Sequence, residues 1–287
     1  MVRKIKYSRI NSFTSNSFAG NPAGVLMSNK LSESEMQLIA RELNFAETTF
    51  ISSSKYCNYK LRWLTPTSEV DLCGHATIAA LHFLKENNKF TENQELIFET
   101  RSGNLRCGFK DGKYFMEIPI NIVEYFEDDK KNILTALRIE EEIVNPDLPF
   151  LIHNKILFIA IDFLNDLNKV SPNFIELSKI TTNSLFNSVM LYTLQTNESA
   201  NQAYSRFFAP ADGIDEDIVT GSANGPLLLI LKRLNLIDTR PEIIVCTFEQ
   251  GDILNRPGRV TVSYNQNKNE LIIIGDAVTV VRGEFII

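Results

Sequence analysis

Two short segments of the chain combine residue types that acid–base chemistry uses with the start of a helix. Cys73-Gly74-His75-Ala76 and Thr220-Gly221-Ser222-Ala223 lie 147 positions apart in a chain of 287 residues, and each begins a long apolar stretch. Such a stretch predicts a buried helix. A helix start offers unpaired N–H groups and the positive end of a dipole. The two segments therefore predict the binding of an anionic small molecule at two helix N-termini.

Glu47 is the first candidate for an acid–base group. In Phe45–Ile51, strand alternation places Glu47 on the same face as Thr49 and the flanking apolar residues. A carboxyl on a largely apolar face loses hydration, so we expect its pKa to rise toward neutrality. Such a group can take and return a proton near pH 7. A glutamate at a sheet margin, with its head in water, stays open as the alternative.

Four further candidate residues lie at or near the two helix starts. His75 could donate to a substrate or share a proton with Glu47, and a capping or packed imidazole is the alternative. Asp217, one loop ahead of the second helix, could orient His75 or accept from a substrate amine, whereas a solvated acidic turn explains it equally well. Gly221 and Ser222 offer backbone N–H groups and a hydroxyl to a carboxylate.

Cys73 precedes a helix N-terminus, where a thiol can be acidified. Its counterpart Thr220 has no comparable acidity, so we interpret Cys73 as a small packed cysteine. The spacing of Cys73 and His75 is not that of a zinc site, and we predict no metal. The chain also has no nucleotide-binding glycine motif, so we do not expect a nucleotide cofactor.

A second similarity between the two halves of the chain indicates that only one half supplies the acid–base group. Arg62–Pro66 resembles Arg206–Pro210 at an offset of 144 residues. This offset aligns Glu47 with Leu191, so one half of the chain supplies a carboxyl and the other none. We therefore predict a single-base site.

Several local patterns predict the elements that position these residues. Helices that are apolar all round must be buried, and a curved sheet around each is the simplest way to bury them. The predicted fold class is α+β, with two pseudo-symmetric lobes, each a barrel-like sheet around a central helix. We predict an N-terminal lobe of residues 1–120, joined by a strand at 276–287, and a C-terminal lobe of 121–275. The patterns are a tight loop at 18–24, a capping box at 32–35 opening a helix that ends at 44, a strand at 45–52, apolar helices at 76–87 and 223–236, and a helical pattern at 128–142.

The composition and net charge of the chain limit the classes of partner that it can be expected to bind. Lys and Arg number 29 against 35 Asp and Glu, and the net charge of −6 argues against nucleic acid or an anionic membrane. Four scattered cysteines favour reduced thiols and a cytoplasmic location. No apolar run is long enough for a membrane span.

Four segments in order resemble the PhzF (phenazine biosynthesis-like) isomerase family: Phe18–Val25, Asn44–Phe50, Asp71–Thr77 and Glu216–Ala223. The resemblance covers essentially the whole chain and implies the fold of diaminopimelate epimerase. The chain departs from the family pattern at Asn11, where relatives often carry Asp, and at Ile218, where they often carry Pro.

The resemblance also implies roles for single residues. Glu47 would be the general acid/base, with His75 and Asp217 as its polar helpers. Metal and organic cofactors would not be needed, and a homodimer is expected. The residues expected to bind substrate are Asn21, Gly74, Gly221 and Ser222.

We therefore predict an isomerase that moves a proton within a small carboxylate-bearing substrate. One alternative is an amino-acid racemase or epimerase that uses Glu47 with another base. The other is a non-catalytic homologue that binds a small molecule and converts nothing.

Overall fold

The computed structural model describes residues 2–182 and 184–287. Among these residues, no helix is long and apolar enough to cross a membrane. Short 3-10 helices cover Glu141–Ile143, Pro210–Asp212 and Asp252–Leu254. The α-helices are α1 Glu33–Leu43, α2 Gly74–Glu86, α3 Lys130–Leu137, α4 Leu164–Lys169, α5 Phe174–Thr182 and α6 Gly221–Arg233.

The strands make up most of the remaining structure. They are β1 Lys4–Ser12, β2 Asn21–Met27, β3 Glu47–Ser52, β4 Tyr59–Leu64, β5 Glu69–Val70, β6 Glu95–Thr100, β7 Gly103–Lys110, β8 Lys113–Ile118, β9 Glu124–Tyr125, β10 Leu151–His153, β11 Ile156–Ala160, β12 Ser188–Thr193, β13 Ala203–Ala209, β14 Ile214–Asp217, β15 Ile243–Gln250, β16 Gly258–Asn265, β17 Glu270–Gly275 and β18 Ala277–Ile286.

The chain divides into two compact units. The first contains Met1–Ile118 and Ile272–Ile287, and the second contains Pro119–Leu271. Strand β18 returns to the first unit, where it runs antiparallel to β1. The sequence predicts two separate domains, one of residues 1–120 with 276–287 and one of residues 121–275. This division into domains stays a prediction.

In the first unit, a curved run of strands surrounds α2. β1 is antiparallel to β18 and β2, β2 is parallel to β3, β3 is antiparallel to β4, and β4 is parallel to β6, which continues antiparallel into β7 and β8. Helix α2 packs against β1, β2, β3, β8 and β18. Its Ile78, Leu81 and Leu84 are fully buried. Each such side chain contributes about 1.5–3 kcal/mol on leaving water, so α2 is the centre of this unit's core.

The second unit repeats this order of pairing. β10 is antiparallel to β11, β11 is parallel to β12, β12 is antiparallel to β13, and β13 is parallel to β15, which continues antiparallel into β16. Helix α6 follows β14 as α2 follows β5, and its Leu227, Leu228, Ile230 and Leu231 are fully buried. The sequence repeat is therefore a repeat of structure.

One ion pair occupies the same place in both units. Arg62 on β4 donates to both carboxylate oxygens of Glu69 on β5, at 2.9 and 2.7 Å. Arg206 on β13 makes the same fork to Glu216 on β14, at 2.8 and 2.7 Å. The hydrogen bonds from Arg62 hold the pKa of Glu69 below its usual value. Two parallel bonds fix the strand pair ahead of each central helix.

The predicted start and end of α1 are confirmed. The N–H of Glu35 donates to Ser32 Oγ at 3.3 Å, and the N–H of Ser32 donates to the Glu35 carboxylate at 2.8 Å. Asn44 ends the helix in the left-handed region with φ 50°. This reciprocal capping satisfies donors that the first turn would otherwise leave unpaired.

Two local predictions are wrong in part. The segment Asn21–Gly24, predicted as loop, forms the first half of β2 because it is hydrogen-bonded in register with β1. The helical pattern at 128–142 contains α3 and a separate 3-10 turn. The interruption lies at Arg138, which adopts a left-handed φ of 55° and ends α3.

Candidate active site

Glu47 is the first residue of β3, three positions after the left-handed Asn44 that ends α1. It is 8% exposed. Two residues along the same face, Thr49 Oγ1 donates to the carbonyl of Ala76 in α2 at 3.0 Å. Because alternate residues of a strand share a face, Glu47 faces the N-terminal end of α2. The alternative of a carboxyl held in open water is wrong.

The start of α2 is braced from two sides. Cys73 is the N-cap residue, with extended backbone, and Gly74 is the first helical residue. Thr77 Oγ1 donates to the Cys73 carbonyl at 2.6 Å, and Ser12 Oγ on β1 donates to the His75 carbonyl at 2.7 Å. The first bond closes the first turn on itself, and the second holds that turn against β1.

The structure brings Glu47, Cys73 and His75 together within the first unit. His75 Nε2 lies 3.2 Å from Glu47 Oε2, and His75 Nδ1 lies 3.5 Å from Cys73 Sγ. All three side chains are buried. The imidazole thus bridges a carboxyl and a thiol through its two ring nitrogens. Such an arrangement can pass or share a proton along one chain of groups.

Asn21 lies close to this cluster in the sheet. It is the first residue of β2, and Ala23 two positions later is in register with Glu47 on β3. Gly20 before it adopts φ +64°, and a Cβ there would lie 2.3 Å from the Ser12 carbonyl oxygen. Only glycine allows this turn, so Gly20 fixes where the buried Asn21 enters the sheet.

The second unit places its predicted residues around the start of α6. Asp217 is the last residue of β14 and is buried, and Thr220 Oγ1 donates to Asp217 Oδ2 at 2.6 Å. Gly221 and Ser222 are the first two residues of α6. The alternative of Asp217 as a solvated acidic turn is wrong.

Gln250 on β15 is a residue that the sequence did not single out. Its Oε1 accepts from the N–H of Thr220 at 2.9 Å and from Asn224 Nδ2 at 2.7 Å. Its Nε2 donates to the carbonyl of Asp217 at 3.0 Å and to Thr220 Oγ1 at 3.1 Å. One buried amide therefore ties the end of β14 to the first turn of α6. A faint signal existed, since Phe248-Glu249-Gln250 echoes Phe98-Glu99-Thr100.

The strand register corrects the counterpart of Glu47. Arg62 lies opposite Phe50, whereas its equivalent Arg206 lies opposite Leu191. Leu191 therefore corresponds to Phe50, and the residue that corresponds to Glu47 is Ser188, the first residue of β12. The alignment with Leu191 was wrong because the loop from β12 to β13 is longer than the loop from β3 to β4, so the offset of 144 residues does not hold before that loop. Since Ser188 carries no carboxyl, the asymmetry stands.

His82, further along α2, lies outside this cluster. Its Nδ1 is 3.0 Å from Tyr114 Oη, and its Nε2 is 3.1 Å from Thr279 Oγ1 on β18. Burial lowers the pKa of His82. These contacts join α2 to β8 and β18.

Comparison with known proteins agrees with this description. The family model for "Phenazine biosynthesis-like protein" matches residues 10–283. An uncharacterised isomerase of Clostridium acetobutylicum is 36% identical over 303 residues, covering all of both chains. The crystal structure of a PhzF-family phenazine biosynthesis protein of Bacillus anthracis is 27% identical, with a TM-score of 0.91 over 99% of this chain and 100% of that one.

A more distant structure shares the fold alone. A hydroxyproline epimerase from Agrobacterium vitis has a TM-score of 0.62 at 10% identity, over 99% of this chain and 93% of that one. The α+β, epimerase-like fold class is therefore confirmed. The chain is an isomerase by its family and by relatives that are named isomerases, as the sequence predicted. The chain belongs to the phenazine biosynthesis-like (PhzF) family.

Proposed function

We propose that the chain is a cofactor-independent isomerase that moves a proton within a small carboxylate-bearing substrate. Glu47 is the general acid/base, and His75 is the polar group that holds and supports it. By the family resemblance, Asp217 is a second polar helper, and Asn21, Gly74, Gly221 and Ser222 bind the substrate. A homodimer and a cytoplasmic location also stay predictions.

The pairing of Glu47 with His75 carries the proposal. A neutral imidazole can donate to an ionised carboxylate or accept from a protonated one, depending on its tautomer. His75 Nε2 lies 3.2 Å from Glu47 Oε2, close enough to form either bond once the two groups align, so His75 is positioned to support Glu47 both before and after it takes a proton. Reversible proton uptake by one group is what a proton shift requires.

The steps balance within the substrate and Glu47. The Glu47 carboxylate takes a proton from a carbon next to an unsaturated or carbonyl group, and the C–H electron pair is delocalised over that group. The protonated Glu47 then delivers the proton to another carbon of the conjugated system. One C–H bond breaks, another forms, and the double bond moves.

Distances within the cluster favour one base over two. Bases that act on opposite faces of one carbon, each about 3–3.5 Å away, stand roughly 6–7 Å apart. The ligand atoms of Glu47, Cys73 and His75 all lie within 4.8 Å of one another. No two of these groups can therefore invert a carbon held between them, and a one-sided shift is the chemistry that the cluster supports.

The test is a screen of small carboxylate-bearing metabolites in D2O, followed by NMR. We expect double-bond migration with the wild-type protein, and a rate about 10²–10⁴-fold lower with Glu47→Gln, the usual contribution of a positioned acid/base. Glu42→Gln is the matched control, because Glu42 is an exposed glutamate on α1. Full turnover by Glu47→Gln would contradict the proposal, and binding without conversion would favour a non-catalytic homologue.

An epimerase is the second candidate, and the shared fold with the hydroxyproline epimerase favours it. Glu47 would then act with a second base outside its own cluster. The same experiment separates the two, since an epimerase exchanges deuterium at a single carbon with inversion and without double-bond migration.

A further inference from the structure

The cluster of Glu47, Cys73 and His75 has a chemical property that proton transfer does not use. It offers a thiol, an imidazole and a carboxyl, and these are the three ligand types that zinc takes in proteins. The sequence argued against a metal because two ligands, Cys73 and His75, have no zinc-site spacing. The fold supplies the third ligand from a different element, since Glu47 begins β3, whereas Cys73 caps α2 and His75 lies in its first turn.

We propose that Glu47, Cys73 and His75 form a binding site for a thiophilic divalent cation of the zinc class, and that an ion bound there blocks proton transfer. The ion is an inhibitor in this proposal, and the isomerisation does not use it.

The distances are close to those of a zinc site. Bonds of about 2.3 Å to sulfur and 2.0–2.2 Å to nitrogen or oxygen separate tetrahedral ligands by about 3.4–3.6 Å. His75 Nε2 is already 3.2 Å from Glu47 Oε2, and all three ligand atoms lie within 4.8 Å of one another. The imidazole turns Nδ1 toward Cys73, so one ion requires the ring to swing until a single nitrogen faces both partners.

Charge and ligand type select the ion. Binding breaks the Cys73 S–H bond, releases the proton to solvent and forms a sulfur–metal bond. A thiolate and a carboxylate then neutralise the two charges of the ion, which makes burial of the site possible. Magnesium and calcium prefer oxygen ligands alone, whereas zinc and cadmium accept sulfur and nitrogen.

The second unit provides an internal comparison. The residues that correspond to Glu47, Cys73 and His75 are Ser188, Thr220 and Ser222, each with a hydroxyl only. Neutral hydroxyls are poor ligands for zinc. We therefore expect one ion per chain, bound in the first unit.

The experiment titrates the full chain with Cd²⁺ and follows the ultraviolet thiolate-to-cadmium charge-transfer band. We expect the band to saturate at one equivalent and to vanish in both Cys73→Ser and Cys73→Ala, with circular dichroism confirming that each variant is folded. Cys57→Ser is the matched control, because Cys57 is another free cysteine, and it should keep the band. His75→Gln should weaken binding at least roughly tenfold, the lower bound for losing even an outer partner of a metal.

Two results overturn the site: no charge-transfer band in the wild-type protein, or an unchanged band in both Cys73 variants. The inhibition rests on the proposed function and has a separate readout. Zn²⁺ should stop the isomerisation found in the D2O screen, and a chelator should restore it. Cadmium binding without zinc inhibition would overturn the inhibition and speak against Glu47 as the base, while a missing band with an inactive Glu47→Gln would overturn the site alone.

Discussion

The starts of α2 and α6 show one scaffold with two different side-chain sets. In each unit a strand pair closed by an Arg–Glu fork leads into a helix. A side chain of the first turn then donates to the N-cap carbonyl, from Thr77 to Cys73 at 2.6 Å and from Asn224 to Thr220 at 3.0 Å. The backbone arrangement is therefore repeated down to its supporting hydrogen bonds.

The side chains around these two starts differ in kind. The first unit gathers a carboxyl, a thiol and an imidazole, all of them groups that titrate. At the corresponding positions the second unit has three hydroxyls, and it adds Asp217 where the first has Val70. The repeat therefore constrains the backbone, whereas the side chains that could carry chemistry differ between the two units.

The largest expected effect comes from making the first unit resemble the second. Glu47→Ser copies Ser188 and should lower the isomerisation rate by about 10²–10⁴-fold, because it removes the proposed general acid/base. Ser188→Ala should leave the rate within about twofold, since Ser188 has no proposed role. Rates in the NMR assay check both variants. A loss of equal size in the two would contradict the assignment of the acid–base group to the first unit alone.

The two Arg–Glu forks should differ in stability. The side chain of Arg206 is 6% exposed against 20% for Arg62, and Arg206 also donates to the carbonyls of Leu167 and Val170 at 2.9 and 2.7 Å. Arg206→Met should cost about 3–5 kcal/mol in the free energy of unfolding, because it leaves the half-buried Glu216 carboxylate and the buried carbonyls of Leu167 and Val170 without their donor. Arg62→Met should cost about 1 kcal/mol. Urea unfolding with matched m-values measures both, and equal losses would contradict the burial argument.

Gln250 tests whether the second helix start depends on its own brace. Gln250→Met leaves the Thr220 N–H and the Asn224 amide without their acceptor, so we expect a loss of about 2 kcal/mol or more in unfolding free energy. The amide of Thr220 should also exchange faster with solvent. The corresponding change in the first unit, Thr100→Val at the end of β6, removes hydrogen bonds that are exposed to solvent and should cost less than about 0.5 kcal/mol. An unchanged exchange rate of the Thr220 amide would contradict the conclusion that Gln250 stabilises the start of α6.

Sequence patterns predicted those parts of the molecule that depend on neighbouring residues. The capping box at Ser32 and the two apolar helices depend on local propensity and periodicity, and they lie where expected. The approach of Glu47 to His75 depends on the register of β2 and β3, and the four bonds of Gln250 depend on the parallel pairing of β13 with β15. Register and long-range pairing are set by packing across the core, so spacing along the chain could not supply them.

The smallest expected effect concerns pH and a residue that only one helix carries. The position of His82 in α2 corresponds to Leu229 in α6. Burial lowers the pKa of His82 and outweighs the attraction of Glu86, which raises it, while Arg282 and Lys85 add to the lowering. The unfolded chain therefore binds the proton more readily than the folded one.

The stability due to the neutral imidazole is complete above the unfolded pKa near 6.5 and declines as the pH falls through the folded value, at up to about 1.4 kcal/mol per pH unit. His82→Gln keeps a donor and an acceptor for Tyr114 and Thr279 and should flatten this decline. Urea midpoints measured from pH 7.5 downward check it, and an equally steep decline in the variant would assign the pH dependence to other groups, with His153 next because burial lowers its pKa as well.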